Sequence, residues 1–291
     1  MSTPVVLVTG ANGQLGTALR SIAGNYQGLQ FLFVTRATFP LEDAPAVAAL
    51  LKEQAPAYCI NCAAYTAVDK AETEKEQAMQ VNATAVGVLA AACKDAGTKL
   101  IHISTDYVFD GQGTVPYKED DSTVPVNYYG ATKLAGELQC MQANKETVII
   151  RTSWVYSAFG NNFVKTMLRL MRERSSLNVV NDQFGSPTYA VDLAEALLSI
   201  IEGDTNGAHA WVPGIYHYSN EGIISWFDFA TAIQETSGST CTVQPIPTSA
   251  FPTPAKRPAY SVMDKSKIQK VYGLHIPSWR QSLVTCIRSL Q

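Results

Sequence analysis

From Val5 to Arg151 the chain alternates two hydrophobic periods. Short, nearly continuous apolar runs stand at Val5–Thr9, Phe31–Val34, Tyr58–Ile60, Leu100–Ser104 and Thr147–Arg151, the pattern of strands buried on both faces. Between them, apolar residues recur every three or four positions, which predicts helices. Gln14–Ala23 puts Leu15, Ala18, Leu19 and Ile22 on one face. Asp43 is placed to cap a helix over Ala44–Glu53, with Val47, Leu50 and Leu51 inward. Glu76–Ala96 reads as one long helix stopped by Gly97, and Tyr129–Ala143 as another. This alternation predicts an α/β fold with a doubly wound, Rossmann-like parallel sheet. Its crossovers should be right-handed and its ligand crevice should lie at the carboxyl ends of the strands.

After Arg151 the rhythm changes. A helix is expected over Asn161–Arg174, a short strand at Leu177–Val180 and a helix over Val191–Ile201; prolines and short apolar runs then dominate from Pro213 to Pro258. That composition predicts a smaller, irregular C-terminal α/β lobe over the sheet edge. The expected division assigns 1–155, with roughly 186–218, to a dinucleotide-binding domain. Roughly 156–185 and 219–291 then form a substrate-binding lobe.

At 291 residues and 46% hydrophobic content, a sizeable core is available. A net charge of −3 with dispersed charges argues against a nucleic-acid binder. No apolar run approaches the roughly 20 residues that span a bilayer, and Met1-Ser-Thr-Pro4 has no basic n-region, so a cytoplasmic protein is expected. The six cysteines are too sparse for a disulfide scaffold. Cys59-Ile-Asn-Cys62 has redox or zinc spacing, but it sits on an expected buried strand and no second pair completes a zinc set. No metal site is expected, and none of the four histidines is assigned a role.

The first strand runs into Gly10-Ala-Asn-Gly13-Gln-Leu-Gly16 and then a helix. A phosphate reaches the backbone only where no Cβ intervenes, and a helix N-terminus offers free N–H groups and a positive dipole end. The turn is therefore a candidate dinucleotide cradle; an ordinary glycine-rich turn is the plainer alternative. The second strand ends Val34-Thr35-Arg36 without a carboxylate. An arginine there suits a 2′-phosphate, so NADPH is the expected cofactor, with NADH left open; the alternative is a solvated arginine. Tyr129 and Lys133 are four residues apart and so share a helix face. A cation beside a phenol should lower its pKa and suit it to proton transfer. Upstream, Ser104-Thr105-Asp106-Tyr107 ends a strand at the same crevice, where the Thr105 hydroxyl would bind a carbonyl.

Gly10, Gly13 and Gly16, Ser104-Thr105 and Tyr129 with Lys133 together resemble the extended short-chain dehydrogenase/reductases. Longer strings narrow this. Asn61-Cys-Ala-Ala-Tyr-Thr-Ala-Val-Asp-Lys70, Ser104-Thr-Asp-Tyr-Val-Phe-Asp-Gly111, Tyr129-Gly-Ala-Thr-Lys-Leu-Ala-Gly-Glu137, Arg151-Thr-Ser-Trp-Val-Tyr156 and Asp182-Gln-Phe-Gly-Ser-Pro-Thr188, with Arg257-Pro258 and Ser261, are similar to the dTDP-4-dehydrorhamnose reductase family across nearly the whole chain. The resemblance implies NAD(P)H-dependent reduction of the C4 ketone of dTDP-4-dehydro-β-L-rhamnose, the last step of dTDP-L-rhamnose synthesis. Tyr129 would protonate the new alkoxide, Lys133 would bind the nicotinamide ribose and keep the phenol acidic, and Thr105 would orient the carbonyl. Gln14, Leu15, Ala63, Ala64, Tyr65 and Ser104 would line the cofactor. Asn82 would support the site from the long helix, unless it is an ordinary helix-surface residue. Asp106, Tyr107, Trp154, Gln183 and Arg257 would meet the nucleotide sugar. Trp154 offers an apolar face to the sugar and Arg257 a fork for the pyrophosphate.

The chain departs from the family in two places. Pro40 stands where family members carry an aspartate after the second strand, on the adenine side. Some relatives dimerise through a metal held partly by a carboxylate on the first helix, but Thr17–Ser21 contains no acid, so neither metal nor that dimer is carried over; a monomer or homodimer is expected. Two other readings stay open on the residues alone: a sugar-nucleotide epimerase or dehydratase on the same fold, and a non-catalytic regulatory subunit.

Overall fold

The computed structural model describes residues 3–290, so Met1 and Ser2 of the N-terminal stretch, and Gln291, lie outside the described residues. The strands are β1 (Val5–Thr9), β2 (Gln30–Phe33), β3 (Tyr58–Asn61), β4 (Lys99–Thr105), β5 (Val148–Thr152), β6 (Val155–Tyr156), β7 (Ser176–Val180), β8 (Phe184–Gly185), β9 (Thr188–Tyr189), β10 (Gly214–Tyr218), β11 (Ile224–Ser225) and β12 (Thr242–Ile246). The helices are α1 (Gln14–Ile22), α2 (Ala44–Gln54), α3 (Lys75–Met79), α4 (Ala85–Asp95), α5 (Tyr128–Ala143), α6 (Phe163–Glu173), α7 (Ala190–Asn206), α8 (Trp226–Ser237), α9 (Ser266–Tyr272) and α10 (Trp279–Arg288).

Six parallel strands form the main sheet in the order β10-β5-β4-β3-β1-β2. Alternate residues of each strand face opposite ways. Leu7, Cys59, Leu100 and Ile149 pack against α2, α4 and α5. Val6, Val8, Ile60, Ile101 and Ile150 pack against α1, α7 and the Ile268 and Tyr272 side chains of α9. From β1 the chain passes to β2 on one side and then to β3 on the other. The topological switch point therefore lies between β1 and β3, and a ligand crevice is expected at their carboxyl ends.

Local reading and structure differ in three places. The expected single helix over Glu76–Ala96 is α3 and α4 joined by a wider π turn at Gln80–Thr84. The sixth strand, β10, comes from far along the chain and completes the edge beside β5. The region taken as irregular holds α8, started by a capping box in which Ser225 and Asp228 bond each other's backbone and ended at Gly238 with φ +67°. Helices α6, α8 and α10 bury Val164, Met167, Phe229, Ile233, Leu283 and Ile287 together with Leu177 and Val179 of β7. Among the described residues no helix is long and apolar enough to cross a membrane.

Candidate active site

β1 ends at Thr9 and the chain turns at once through Gly10, whose φ of +64° is left-handed. A Cβ on Gly10 would lie 2.6 Å from the Ala63 nitrogen, and one on Gly16 would lie 2.5 Å from the Gly10 oxygen. Both glycines are therefore required by close backbone approach. Gly13 begins α1 with no side chain capping it and no acid in the first turn, which leaves an N-terminus open to an anion. Leu15 is buried beneath the turn. Gln14 lines the cavity that Tyr129 and Lys133 also line, and its carboxamide is tied to the segment that leads into α6. It donates to the Val155 carbonyl (3.3 Å) and accepts from the Ser157 hydroxyl and the Asn162 amide (2.9 Å each). The Gln14 side chain thus ties the glycine turn to the start of α6.

Two cavities meet at this turn. One, of about 390 Å³, is lined by Gly10, Arg36, Leu41, Ala63, Ala64 and Tyr65 among others. The other, of about 450 Å³, is lined by Leu15, Thr105, Asp106, Tyr129, Lys133 and Trp154 among others. Asn12, Gly13, Cys62 and Ala64 line both, so the open helix end sits between two chambers. A dinucleotide, with two nucleosides about one pyrophosphate, fits this arrangement. Arg36 lines the first chamber and pairs with Glu42 at 2.6 Å. Asn82 is fully buried in the π turn and is no surface residue. Its amide oxygen accepts from the Tyr65 N–H (2.8 Å), and its amide nitrogen donates to the Tyr65 carbonyl (3.0 Å) and the Thr132 hydroxyl (3.0 Å). It therefore clamps the loop after β3 to α5.

α5 turns one stripe toward the sheet: Tyr129, Lys133 and Glu137, each four residues apart. The Asn127 carboxamide starts the helix by accepting from the Gly130 N–H (2.8 Å) and donates to the Lys256 carbonyl (2.8 Å), so the helix start is tied to the chain beside Arg257. A Cβ on Gly130 would fall 2.2 Å from the Tyr107 carbonyl oxygen, which brings the helix end against the strand end. Lys133 is buried and donates to the Ile103 carbonyl at 2.7 Å. Burial pushes its pKa down to about 8, with Glu137 pulling the other way. The expected lowering of Tyr129 is not observed: burial raises its phenol to about 12, opposed by the Thr105 hydroxyl and reinforced by Asp106. Desolvation of the phenolate outweighs any attraction to the lysine. Ser104 lines the second cavity, and its hydroxyl donates to Glu137 at 2.5 Å.

Thr105 begins a short turn after β4: its hydroxyl accepts from the Tyr107 N–H (3.2 Å) and donates to the Asp106 carboxylate (3.0 Å). The Tyr107 and Tyr129 rings meet edge to face, 5.6 Å apart. Trp154 lines the cavity in left-handed backbone (φ +48°), held by stacking on Trp226 at 3.6 Å. Gln183 and Arg257 do not line this cavity. Gln183 donates to the Thr248 hydroxyl (3.0 Å), and Arg257 pairs with Asp69 (2.9 Å) of the segment after β3. Arg257 still acts electrostatically on Tyr107, lowering its pKa against the effect of burial.

Burial lifts the Asp106 carboxyl from the ordinary 3.8 to about 6, against hydrogen bonds from Ser261 and Thr105. The fold thus favours the neutral acid. That contribution is full below about pH 4 and is lost as pH rises through about 6. Asp106→Asn is expected to raise stability by up to about 3 kcal/mol at pH 8, with the gain vanishing near pH 4. Thermal unfolding of both proteins across that range checks it; a gain independent of pH would contradict it.

Sequence reading missed three residues of this site. Glu137 had a signal, being the next i+4 position after Lys133. Asn127 had one too, as an asparagine just before the expected helix. Asp69, the partner of Arg257, had none, because the two are far apart in the chain and meet only in three dimensions.

A family model described as RmlD substrate binding domain matches residues 4–291. The chain is 42% identical over 296 residues to a dTDP-4-dehydrorhamnose reductase of Burkholderia thailandensis, covering 98% of each. A crystal structure of a dTDP-4-dehydrorhamnose reductase from Clostridium acetobutylicum superposes with a TM-score of 0.92 at 39% identity over 99% of both chains. Another, from Bacillus anthracis in complex with NADP, gives 0.93 at 38% identity over 99% of this chain and all of that one.

Proposed function

The chain belongs to the dTDP-4-dehydrorhamnose reductase family, and from that premise we propose that it reduces the C4 ketone of dTDP-4-dehydro-β-L-rhamnose to dTDP-L-rhamnose with NADPH, accepting NADH as well. The observation that carries this reading is one chamber lined both by the glycine turn, through Asn12–Leu15, and by Thr105, Tyr129 and Lys133. The bound dinucleotide supplies the hydride. Thr105 orients the ketone oxygen through its hydroxyl, and Tyr129 gives its phenolic proton to the oxygen as the alkoxide forms. An alkoxide is far more basic than a phenolate, so a phenol with a raised pKa still transfers its proton downhill and arrives protonated at neutral pH. Lys133 holds a cation beneath the site, fixed by the Ile103 carbonyl, and binds the nicotinamide ribose. Asp106, Tyr107 and Trp154 meet the sugar. Gln183 and Arg257 meet the nucleotide sugar, Arg257 at its pyrophosphate, after leaving the partners they hold here.

The glycine-turn domain (1–155 with roughly 186–218) is proposed to hold the dinucleotide and the C-terminal lobe the nucleotide sugar, with α9 contributing to the sheet core. A reducing, cytoplasmic setting suits the six free thiols, and the chain is proposed to act as a monomer or homodimer.

The test is loss of the 340 nm nicotinamide absorbance with NADPH or NADH and freshly made dTDP-4-dehydro-L-rhamnose, with dTDP-L-rhamnose identified as product. Stoichiometric loss is expected, and none with either cofactor would overturn the proposal. Because the Lys133 cation is lost as pH rises through about 8, kcat/KM is expected to fall on the alkaline side from near that pH. A fall beginning only near the ordinary lysine value would contradict the role given to Lys133.

A further inference from the structure

The second strand, β2, leads into Thr35-Arg36 with no acid at its end, yet the fold supplies one from further along. The chain closes a tight turn after β2: the Thr38 hydroxyl accepts from the Thr35 N–H (3.0 Å), and the Phe39 N–H donates to the Thr35 carbonyl (2.7 Å). Phe39 and Leu41 then bury their side chains in the core beneath α2 and α4, at 3% and 7% exposure. Asp43 next caps α2 by accepting from the Ala46 N–H at 3.1 Å. Glu42 is therefore held between anchored neighbours. Its carboxylate lies 2.6 Å from the Arg36 guanidinium, and both side chains line the chamber beside the glycine turn. The pair is asymmetric. The Glu42 side chain is 25% exposed and the Arg36 side chain 69%, so the acid is fixed in the wall and the guanidinium is free to swing.

We propose that Glu42 is a cofactor-specificity residue opposed to Arg36. Its carboxylate takes the place of the missing strand-end acid, accepting the ribose hydroxyls of an unphosphorylated dinucleotide. It also holds the guanidinium that a 2′-phosphate must recruit. A 2′-phosphate has to draw Arg36 off Glu42 and sit beside a fixed negative charge, whereas a ribose hydroxyl keeps the ion pair intact and bonds to it. The pair thus lowers the discrimination that Arg36 alone would impose and lets one chamber accept both dinucleotides. The inference rests on the dinucleotide reading above. It differs from the expectation drawn from Arg36, because it assigns the balance between cofactors to a residue six positions further on.

The test is a fluorescence titration of NADPH and NADH, without sugar substrate, into wild-type protein and the variants Glu42→Gln, Glu42→Asp and Arg36→Ala. Glu42→Gln is expected to tighten NADPH roughly fivefold, the scale of one partly exposed charge pair, and to weaken NADH. Glu42→Asp keeps the charge and should return the ratio toward wild type. Arg36→Ala should weaken NADPH and leave NADH close to wild type. An unchanged NADPH-to-NADH ratio in Glu42→Gln, with both dinucleotides still bound, would overturn the inference and leave the dinucleotide reading standing. A wild-type protein that binds neither would overturn both.

Discussion

Tyr129→Phe is expected to lower turnover by about 10²–10⁴-fold while NADPH binding stays close to wild type. The substitution removes one oxygen and keeps the ring. The edge-to-face contact with Tyr107 survives, and so do the helix start at Asn127 and the close approach of Gly130 to Tyr107. What is lost is the proton aimed at the developing alkoxide. Because burial pushes the phenol up to about 12, wild-type Tyr129 is fully protonated at neutral pH; the variant lacks the donor at every pH. Steady-state rates at 340 nm and a cofactor fluorescence titration separate the two effects. Turnover near that of wild type would remove Tyr129 from its role. Loss of cofactor binding would mean that the hydroxyl supports the chamber rather than the chemistry.

The largest expected effect on stability is at Glu137. Its carboxylate and the Arg151 guanidinium are both almost fully buried and joined by bonds of 2.7–3.2 Å, with the Ser104 hydroxyl on the same carboxylate. The guanidinium also lies over the Phe109 ring at 5.1 Å. Removing one partner of a buried pair leaves an uncompensated charge, so Glu137→Ala is expected to cost about 3–5 kcal/mol. For a chain of this size that lowers the midpoint of thermal unfolding by roughly 10 °C. Replacing both partners by apolar residues of similar volume, as in Glu137→Leu with Arg151→Met, should recover most of the loss. Calorimetry of the two single variants and the double variant reads this directly. Additive losses would show that the residues act separately. The same carboxylate raises the Lys133 pKa, so any Glu137→Gln protein that folds should shift the alkaline fall in activity to lower pH.

Much of this protein was legible in one dimension. The strands β1, β3, β4 and β5 and the helices α1, α2 and α5 follow from period and capping alone, because each is decided by neighbours a few residues away. So were the glycine turn, since its residues are contiguous, and the Tyr129–Lys133 stripe, since a helix converts a spacing of four into adjacency. Even Asp43 as a helix cap could be assigned from the residues around it.

The tertiary structure decided what depends on residues far apart or on solvent exclusion. It put β10 at the sheet edge beside β5, set Asn82 in a buried π turn that clamps Tyr65, and tied the Gln14 carboxamide to Ser157 and the Ser104 hydroxyl to Glu137. It brought Glu42 to Arg36 and Asp69 to Arg257. It also reversed the direction expected for Tyr129. The spacing of Tyr129 and Lys133 tells that they are neighbours, but whether a phenol is made more or less acidic depends on how much water it loses against what charge it gains. That balance is set by the surrounding walls, and no local run of residues contains them.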